Sequence, residues 1–167
     1  LTPPTANTAT LETCETTASS GTGDFMLSDA NGTVDGGLPG LTVTYYASMA
    51  NANANISPLD QTSYISPSTT IYARVTDVAG CYAISSITLT VNPLPTGIEI
   101  QNINNSNSPA DFTICEGQSI NLTVAGTGSG TLQYDWELPV GTASNSPLNI
   151  ASADPSIHGG QWIVTVT

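Results

Sequence analysis

The three cysteines, Cys14, Cys81 and Cys115, are the residues whose chemistry would constrain this chain most strongly. Thiols form disulfides or bind soft metal ions. A structural zinc site needs four cysteine or histidine ligands in closely spaced groups. Here the cysteines are far apart in the sequence and are accompanied by one histidine, His158. The pattern therefore indicates disulfide formation rather than zinc binding.

Side chains for acid–base catalysis are few. A Ser-His-Asp triad would depend on His158, and a glycine-flanked turn is a poor place for an oriented base. Asp135 and Glu137 flank Trp136 and would share one face of a strand. Paired carboxylates can hydrolyse glycosides, but a solvated strand face is the ordinary explanation of this spacing. We expect the protein not to be an enzyme.

The stretch SDANGTVDGG carries oxygen-bearing side chains at alternating positions, as a calcium loop does. These residues are Asp29, Asn31, Thr33 and Asp35. An EF-hand loop needs glycine at its sixth position and glutamate at its twelfth, where this stretch has Val34 and Gly40. A plain polar turn is the favoured interpretation. Ca²⁺ bound by a looser site that uses Asp77 or Asp111 remains an alternative; no other cofactor is expected.

The charge balance is strongly acidic, with a net charge of −12 and one basic residue, Arg74. Nucleic-acid binding depends on Lys and Arg, so this composition argues against it, and against binding to an anionic membrane surface. No run of about 18 apolar residues is present, so no membrane insertion is predicted. Because the chain has no lysine, Lys–Asn isopeptide cross-links are impossible.

Alternation of apolar and polar residues predicts antiparallel β-strands. LTVTYYA, IYARVTD and SITLTVN place apolar side chains at every second position. Only 8% of the residues are charged, and the abundant Thr, Ser, Asn and Gly suit strand surfaces and turns. ASMANANAN predicts one short helical turn. The pattern indicates β-sandwich architecture.

Two modules are predicted on either side of the segment NPLPTG. Pro93 and Pro95 cannot donate ladder hydrogen bonds, and they stiffen the chain. We predict a linker at residues 1–10, a first sandwich at 11–95 and a second at 96–167. We expect the sequence to be a piece of a longer secreted protein or a chain trimmed by processing.

An internal comparison relates the two modules. TCE at Cys14 corresponds to ICE at Cys115, and IYARVT corresponds to WIVTVT, which aligns Thr76 with Thr167. After Thr76 the first module continues through the turn DVAGC into a final strand. We therefore expect the second module to be incomplete at its C-terminus, without its last strand.

Cys14 and Cys81 are predicted to form a disulfide. They lie near the start of the first strand and at the start of the last strand of module 1, and these strands can be neighbours in a sandwich. The bond would close a long loop and stabilise the module by roughly 4 kcal/mol in the chain-entropy picture. The alternative is two unrelated buried thiols, but the composition looks extracellular.

Cys115 is then unpaired in this chain. The alignment with module 1 places its expected partner beyond the C-terminus. A free thiol and an intermolecular bridge are the alternatives.

The motifs resemble a known group of surface proteins. The first module carries GDFML, GLTVTYYAS, TIYARVTD and ITLTVNPLPT, and the second carries ICEGQSINLTVAG, LQYDWEL and GGQWIVTVT. They are similar to the tandem Ig-like or PKD-like repeats of giant cell-surface adhesins of Bacteroidota, such as the SprB-type gliding-motility adhesins that are type IX secretion cargo. The resemblance implies export and display outside the outer membrane, in a long stalk.

The resemblance to Ig domains assigns two aromatic residues to the core of module 2. Trp136 stands where the third Ig strand has its core tryptophan, and Trp162 stands near the place of the tyrosine-corner aromatic. The inter-sheet cysteine pair of antibody domains is missing, with Leu122 or Val124 expected to face Val164 instead. The predicted fold is all-β, with two tandem Ig-like antiparallel sandwiches.

The predicted function is a structural repeat, a stalk or spacer, of a large bacterial cell-surface adhesin for attachment or gliding motility. Its partners would be neighbouring repeats or other copies of the protein. One alternative is a subunit of an extracellular filament assembled by β-strand donation. The other is a carbohydrate-binding module that stacks surface glycans on tyrosine rings. The candidate rings are Tyr45, Tyr46, Tyr64, Tyr72 and Tyr82.

Overall fold

The computed structural model describes residues 2–102, 116–128, 131–144, 147–151 and 154–167. The chain forms two compact units, unit 1 (Leu1–Pro93) and unit 2 (Leu94–Thr167). The boundary lies inside NPLPTG, the segment on either side of which the sequence predicts the two modules.

Unit 1 is a β-sandwich with two short α-helices and one 3-10 turn. Its strands are β1 (Ala9–Cys14), β2 (Gly23–Phe25), β3 (Thr42–Tyr46), β4 (Tyr64–Ser66), β5 (Thr69–Thr76) and β6 (Tyr82–Asn92). The 3-10 turn is Leu27–Ala30, and the helices are α1 (Asn31–Val34) and α2 (Met49–Ala54). One sheet has the order β1-β6-β5-β3, and the other pairs β2 with β4.

The core of unit 1 follows the period-two pattern of its strands. The inward positions of β3, β5 and β6 meet apolar residues of β2, the 3-10 turn and α1 in one cluster. The fully buried members of the sheet are Val43, Tyr45, Ile71, Ala73, Val75, Ile87 and Leu89. The alternation seen in the sequence therefore identifies the buried face of each of these strands.

The first strand of unit 1 pairs with its last strand, and the pair is parallel. Ala9 lies opposite Ile87, and Cys14 lies opposite Asn92. All other strand pairs of this unit are antiparallel. Parallel neighbours need a long connection rather than a hairpin. Here the connection is residues 15–81, which contain strands β2 to β5 and both helices.

The predicted linker at residues 1–10 is wrong at its C-terminal end. Ala9 and Thr10 belong to β1. The Asn7 backbone N–H donates to the Val34 carbonyl over 2.9 Å, and the Ser85 hydroxyl donates to the Asn7 carbonyl over 2.7 Å. The proline-rich composition suggested a free segment, whereas these bonds tie it to the sandwich.

Arg74 is the one lysine or arginine of the protein, and its guanidinium makes contacts within unit 1. The Arg74 guanidinium donates to the carbonyls of Ala52 at 2.8 Å and Asn53 at 3.1 Å, which are free acceptors at the C-terminal end of α2. Its central carbon lies 3.5 Å from the centroid of the Tyr82 ring. Arg74 therefore fixes α2, the helical turn that ASMANANAN predicts, against the sheet.

The described residues of unit 2 form two three-stranded antiparallel sheets with the orders β11-β8-β7 and β10-β9-β12. The strands are β7 (Thr96–Asn102), β8 (Ile120–Thr127), β9 (Tyr134–Glu137), β10 (Thr142–Ala143), β11 (Leu148–Ile150) and β12 (Ile163–Val166), and α3 is Pro155–His158. In Ig domains the first, second and fifth strands lie in one sheet and the third and sixth lie in the other. Here β7, β8 and β11 share one sheet, and β9 and β12 share the other. The predicted all-β class with Ig-like sandwiches is confirmed.

Trp136 is the largest buried side chain of unit 2, with 1% of its surface exposed. It packs with Leu122, Val124 and partly buried Val164, the apolar residues that stand where antibody domains have cysteines. The Trp162 ring packs against the same cluster, and its indole N–H donates to the His158 carbonyl over 3.0 Å. This bond to the upstream backbone is the one that the tyrosine corner makes with its hydroxyl.

No helix in the described part of the chain is long and apolar enough to cross a membrane.

Tyr45 connects β3 to α1 in the core of unit 1. Its ring is fully buried, and its hydroxyl donates to the Asn31 side-chain oxygen over 2.8 Å. Burial raises the pKa of Tyr45 well above its usual value, and the negative charge of Asp35 raises it further. The folded state therefore holds this proton more tightly than the unfolded chain does.

We expect Tyr45→Phe to destabilise unit 1 by about 1 kcal/mol at neutral pH, because one partly buried hydrogen bond is lost. In the native protein Tyr45 contributes its full share of the unfolding free energy below the ordinary tyrosine pKa of about 10, and this share declines as the pH rises above it. The Tyr45→Phe variant should lack the part of the high-pH loss of stability that comes from Tyr45. Urea unfolding at neutral pH and above about pH 10 measures both effects.

Tyr82→Phe is the matched control, because Tyr82 lies on the surface. If the Tyr45→Phe protein loses as much unfolding free energy at high pH as the native chain does, this account is contradicted.

Candidate functional site: cysteines at the two ends of unit 1

Cys14 is the last residue of β1, and its side chain is exposed. Its strand partner is Asn92, the last residue of β6. Because β1 and β6 are parallel, the thiol lies at the end of unit 1 through which the chain leaves. We call this the exit end.

The loop after Cys14 is held by Glu15. The Glu15 backbone N–H donates to the Asn92 carbonyl over 2.9 Å. Its carboxylate accepts hydrogen bonds from the N–H groups of Ser19 at 2.9 Å and Gly21 at 2.8 Å. These contacts fold residues 15–22 into a turn beside the thiol, so the backbone around Cys14 has a defined geometry.

Gly23 allows β1 and β2 to approach closely next to Cys14. A Cβ atom at this position would overlap the Thr13 methyl carbon and would lie 3.1 Å from the Cys14 carbonyl oxygen and 3.3 Å from a Val91 methyl carbon. Contacts this short force a side chain or the backbone to move. Glycine is therefore required here by space rather than by its backbone dihedral angles.

Cys81 follows a tight turn that joins β5 to β6. One carboxylate oxygen of Asp77 accepts from the N–H groups of Ala79 and Cys81, both over 2.9 Å. The Asp77 N–H in turn donates to the Cys81 carbonyl over 2.9 Å, and Gly80 has the positive φ of 85° that the turn requires. Cys81 is partly exposed and lies at the end of the sheet opposite the exit end. We call this the entry end.

The predicted Cys14–Cys81 disulfide is wrong, since both thiols are free in the structure. Cys14 lies beside the last residue of β6, and Cys81 immediately precedes the first. With 11 residues in β6, the two positions are about 35 Å apart, whereas bonded cysteines have Cα atoms within about 7 Å. The prediction assumed neighbouring strands with Cys14 near a strand start, but Cys14 ends a parallel strand.

The remaining candidates for catalysis either make a local hydrogen bond to the backbone or lie on an exposed strand face. His158 ends α3, and its Nδ1 accepts from the Asp154 N–H over 2.9 Å. Hydrogen bonds from Ser156 lower the pKa of Asp154, and His158 contributes to the same shift. Asp135 and Glu137 are exposed on the outer face of β9, so they share a face as expected.

Cys115 lies outside the described residues.

The candidate calcium loop is helical. Asp29 lies in the 3-10 turn, and Asn31 and Thr33 lie in α1. Asn31 accepts from Tyr45, and a carboxylate oxygen of Asp35 accepts from the Gly37 N–H over 2.7 Å. Within the ranges that the structure covers, no three His, Cys, Asp or Glu side chains are grouped to hold a metal ion. Asp77 holds its turn, and Asp111 lies outside the described residues.

Sequence reasoning assigned no role to Glu15 and Gly23, and it considered Asp77 only as a calcium ligand. The signal for Asp77 was present, because Asp followed by Gly three residues later favours a side-chain-capped turn. Glu15 and Gly23 carry no comparable local signal, since their roles depend on which strands become neighbours.

A comparison with family models gives one assignment that includes both cysteines. The model described as the Flavobacterium inter-domain disulphide bond domain matches residues 10–95, just over half of the chain. The chain belongs to this family. Membership agrees with the sequence resemblance at the level of Ig-like modules of Bacteroidota, and the family's description concerns a disulfide between domains rather than within one.

Solved structures similar to the chain contain Ig domains. The N-terminal four Ig domains of Dscam1 isoform 6.44 share 14% identity with a TM-score of 0.39, over 97% of this chain and 40% of that one. Isoform 6.9 shares 15% identity with a TM-score of 0.39, over 99% and 42%. The chain thus spans about two fifths of these structures. No curated protein matches it.

Replacement of Gly23 by alanine should destabilise unit 1 by about 1–3 kcal/mol, because the added methyl group forces β1 and β2 apart. Gly32→Ala is the control, since Gly32 lies in α1 and has open space around its Cα. The control should be neutral or stabilising by up to about 1 kcal/mol. Equal destabilisation by both substitutions in urea titrations would refute the close-contact explanation.

Proposed function

We propose that this protein is a structural repeat segment of a large bacterial cell-surface adhesin, displayed outside the outer membrane. Its role is mechanical and not enzymatic. It acts as a spacer that transmits tension and holds a binding tip away from the cell, for attachment or gliding. Neighbouring repeats are its partners. Family membership and the Ig-like fold support the coarser part of this proposal, an Ig-like structural module.

The parallel pairing of β1 with β6 is the observation that carries the proposal. The chain enters unit 1 at the start of β1 and leaves it at the end of β6. Tension applied to the two ends therefore pulls these strands past each other along their length. Their ladder bonds resist together instead of opening one at a time, and β5 holds the other side of β6 over eight paired positions.

Cross-links between domains would add strength where lysine chemistry is absent. With no lysine in the chain, disulfides are the available covalent link. Exposed Cys14 and partly exposed Cys81 lie at opposite ends of unit 1. Such an arrangement suits bonds to other domains and fits the description of the family.

Single-molecule pulling on the native chain and on Thr13→Pro tests the mechanical role. The Glu15 N–H donates to β6, and alternate residues of a parallel strand face the same neighbour, so Thr13 also directs its N–H to β6. Proline removes that donor at a cost of about 1 kcal/mol in equilibrium stability. We expect the unfolding force of unit 1 to fall clearly.

Tyr45→Phe is the matched control for pulling, because it has a similar equilibrium cost but lies outside the β1–β6 pair. It should leave the unfolding force of unit 1 near the native value. If both variants lower the force equally, resistance reflects overall stability and the load-bearing role of β1–β6 is rejected.

The alternative function, a filament subunit completed by strand donation, is favoured by one feature of unit 2. In unit 1, β5 has β3 on one side and β6 on the other. The aligned strand β12 pairs with β9 on one side, and among the described residues no strand pairs with its other side. Ile163 on this strand is 44% exposed. An open edge of this kind accepts a strand from another chain.

Filament assembly predicts that the purified chain forms multimers whose size grows with concentration, as measured by light scattering. A peptide with the β6 sequence YAISSITLTVN should compete for the β12 edge and reduce the size of the multimers. The same composition in scrambled order is the control. A chain that stays monomeric at all concentrations, with or without peptide, would exclude the filament alternative.

The carbohydrate-binding alternative has less support from the structure. Tyr45 and Tyr46 are fully buried, and Arg74 covers the ring of Tyr82. Three of the five candidate rings are thus unavailable as open stacking faces.

A further inference from the structure

We propose that Asn31 is the site of a spontaneous modification that the native fold suppresses. When α1 opens, the Asn31 side chain reacts with the backbone nitrogen of Gly32 and is converted to isoaspartate or aspartate. The isoaspartate product cannot rebuild α1, so the change permanently marks a molecule in which this part of unit 1 has opened. The chemistry requires only described residues of unit 1 and is independent of the mechanical role.

Asn31 and Gly32 form the one Asn-Gly pair of the sequence. An asparagine side chain reacts most readily with the following backbone nitrogen when glycine supplies that nitrogen, because glycine has no Cβ to hinder ring closure and its backbone rotates freely. Gly32 is exposed, and a Cβ atom there would meet open space. Neighbouring elements therefore do not shield this nitrogen, and protection must come from the conformation of Asn31 itself.

The reaction consumes water and needs no oxidant or reductant. The Gly32 nitrogen loses its proton to base and attacks the side-chain carbonyl carbon of Asn31. A C–N bond forms, and the side-chain nitrogen leaves as ammonia. Water then opens the five-membered succinimide ring at either of its two carbonyl groups. One product is aspartate, and the other is isoaspartate, in which the main chain runs through the side chain and is one carbon longer.

The helical conformation of Asn31 keeps the reacting atoms apart. Its backbone angles are φ −51° and ψ −53°, and its carbonyl accepts from the Asp35 N–H over 2.9 Å. In the succinimide ring, the Asn31 Cβ and the Gly32 nitrogen nearly eclipse each other about the Cα–C bond, whereas at a helical ψ they are staggered. Ring closure therefore requires rotation about that bond, which moves the Asn31 carbonyl away from Asp35.

The Asn31 side chain is also held away from the Gly32 nitrogen. Its Oδ1 accepts from the buried Tyr45 hydroxyl over 2.8 Å, and the Asn31 backbone N–H donates to the Ser28 carbonyl. The side chain has to leave the Tyr45 hydroxyl before its carbonyl carbon can approach Gly32. The fold thus restrains the N–H, the carbonyl and the side chain of the same residue.

The segment before β1 holds α1 in place. The Asn7 side chain donates to the Thr33 carbonyl over 3.1 Å, and the Asn7 backbone N–H donates to the Val34 carbonyl over 2.9 Å. These carbonyls belong to the last turn of a helix of four residues, where they have no partner within the helix. So short a helix is unstable by itself. Contacts from Asn7 therefore help to determine how often Asn31 leaves its helical conformation.

The test compares the rate of deamidation in the folded and the unfolded protein. The full chain is incubated with a thiol reductant at mildly alkaline pH, with and without guanidinium chloride, and peptide mass spectrometry follows conversion of the Asn31 amide to the acid. We expect conversion at least about tenfold slower in native buffer, which corresponds to an opening free energy of about 1.4 kcal/mol. Equal rates overturn suppression by the fold.

Gly32→Ala identifies the reacting pair. It should strongly slow the conversion of Asn31 in guanidinium chloride, because the added methyl group hinders ring closure. Conversion at the native rate in this variant, or no conversion of the native chain in guanidinium chloride, overturns the assignment of the site.

Asn7→Ala tests the contact that holds α1. The variant should convert Asn31 roughly fivefold faster in native buffer, the change in an opening equilibrium that loss of one hydrogen bond produces, and at an unchanged rate in guanidinium chloride. Asn53→Ala is the matched control, because the exposed Asn53 side chain donates to a backbone carbonyl of α2, that of Met49, over 2.9 Å. Equal rates for the two variants in native buffer overturn the control of α1 by Asn7.

Refolding tests whether the mark is permanent. The native and Gly32→Ala chains are kept in guanidinium chloride until most of the native chain has reacted, and both are then returned to native buffer. The longer backbone of isoaspartate is incompatible with the bond from Asp35 to residue 31. We expect the reacted chain to have lost hydrogen-exchange protection of the amides of residues 27–35 and Gly32→Ala to regain it. Full protection in the reacted chain overturns the marking role.

Discussion

The parallel contact between β1 and β6 determines the polarity of unit 1. It brings the first and last strands together side by side, and both point towards the exit end. This pairing places Cys14 beside Asn92 and separates it from Cys81 by the whole of β6. The same pairing orients the ladder along the line between the two termini of the unit. The positions of the thiols and the orientation of the ladder are thus consequences of one strand contact.

Much of the fold could be predicted because alternation is a local property of a sequence. Val43, Tyr45 and Ile71 are buried as their period-two spacing indicates, and Trp136 occupies the core position given by the Ig comparison. The pairing of Cys14 could not be obtained in this way. Alternation indicates which side of a strand faces inward, but it does not tell whether its neighbour runs parallel or antiparallel. That information depends on the topology of the whole unit.

The two ends of unit 1 use the same device to hold a cysteine in place. A carboxylate, Glu15 at the exit end and Asp77 at the entry end, accepts two backbone N–H groups of the adjacent turn. Of the two, only Asp77 has a recognisable sequence pattern, since short side chains cap turns within a few residues of themselves. The role of Glu15 depends on Gly23, because the loop returns to β1 only where β2 can approach it.

The position of Arg74 also affects the electrostatic interaction between neighbouring copies of this protein. Its guanidinium contacts carbonyls of α2 and the Tyr82 ring. The chain has no lysine and no other arginine, whereas it has 13 acidic residues. Adjacent molecules therefore have almost no cationic side chains with which to form intermolecular ion pairs, and their carboxylates repel. Electrostatic repulsion of this kind decays over a Debye length of about 10 Å at 0.1 M salt. Ionic strength would consequently set how closely such molecules approach one another.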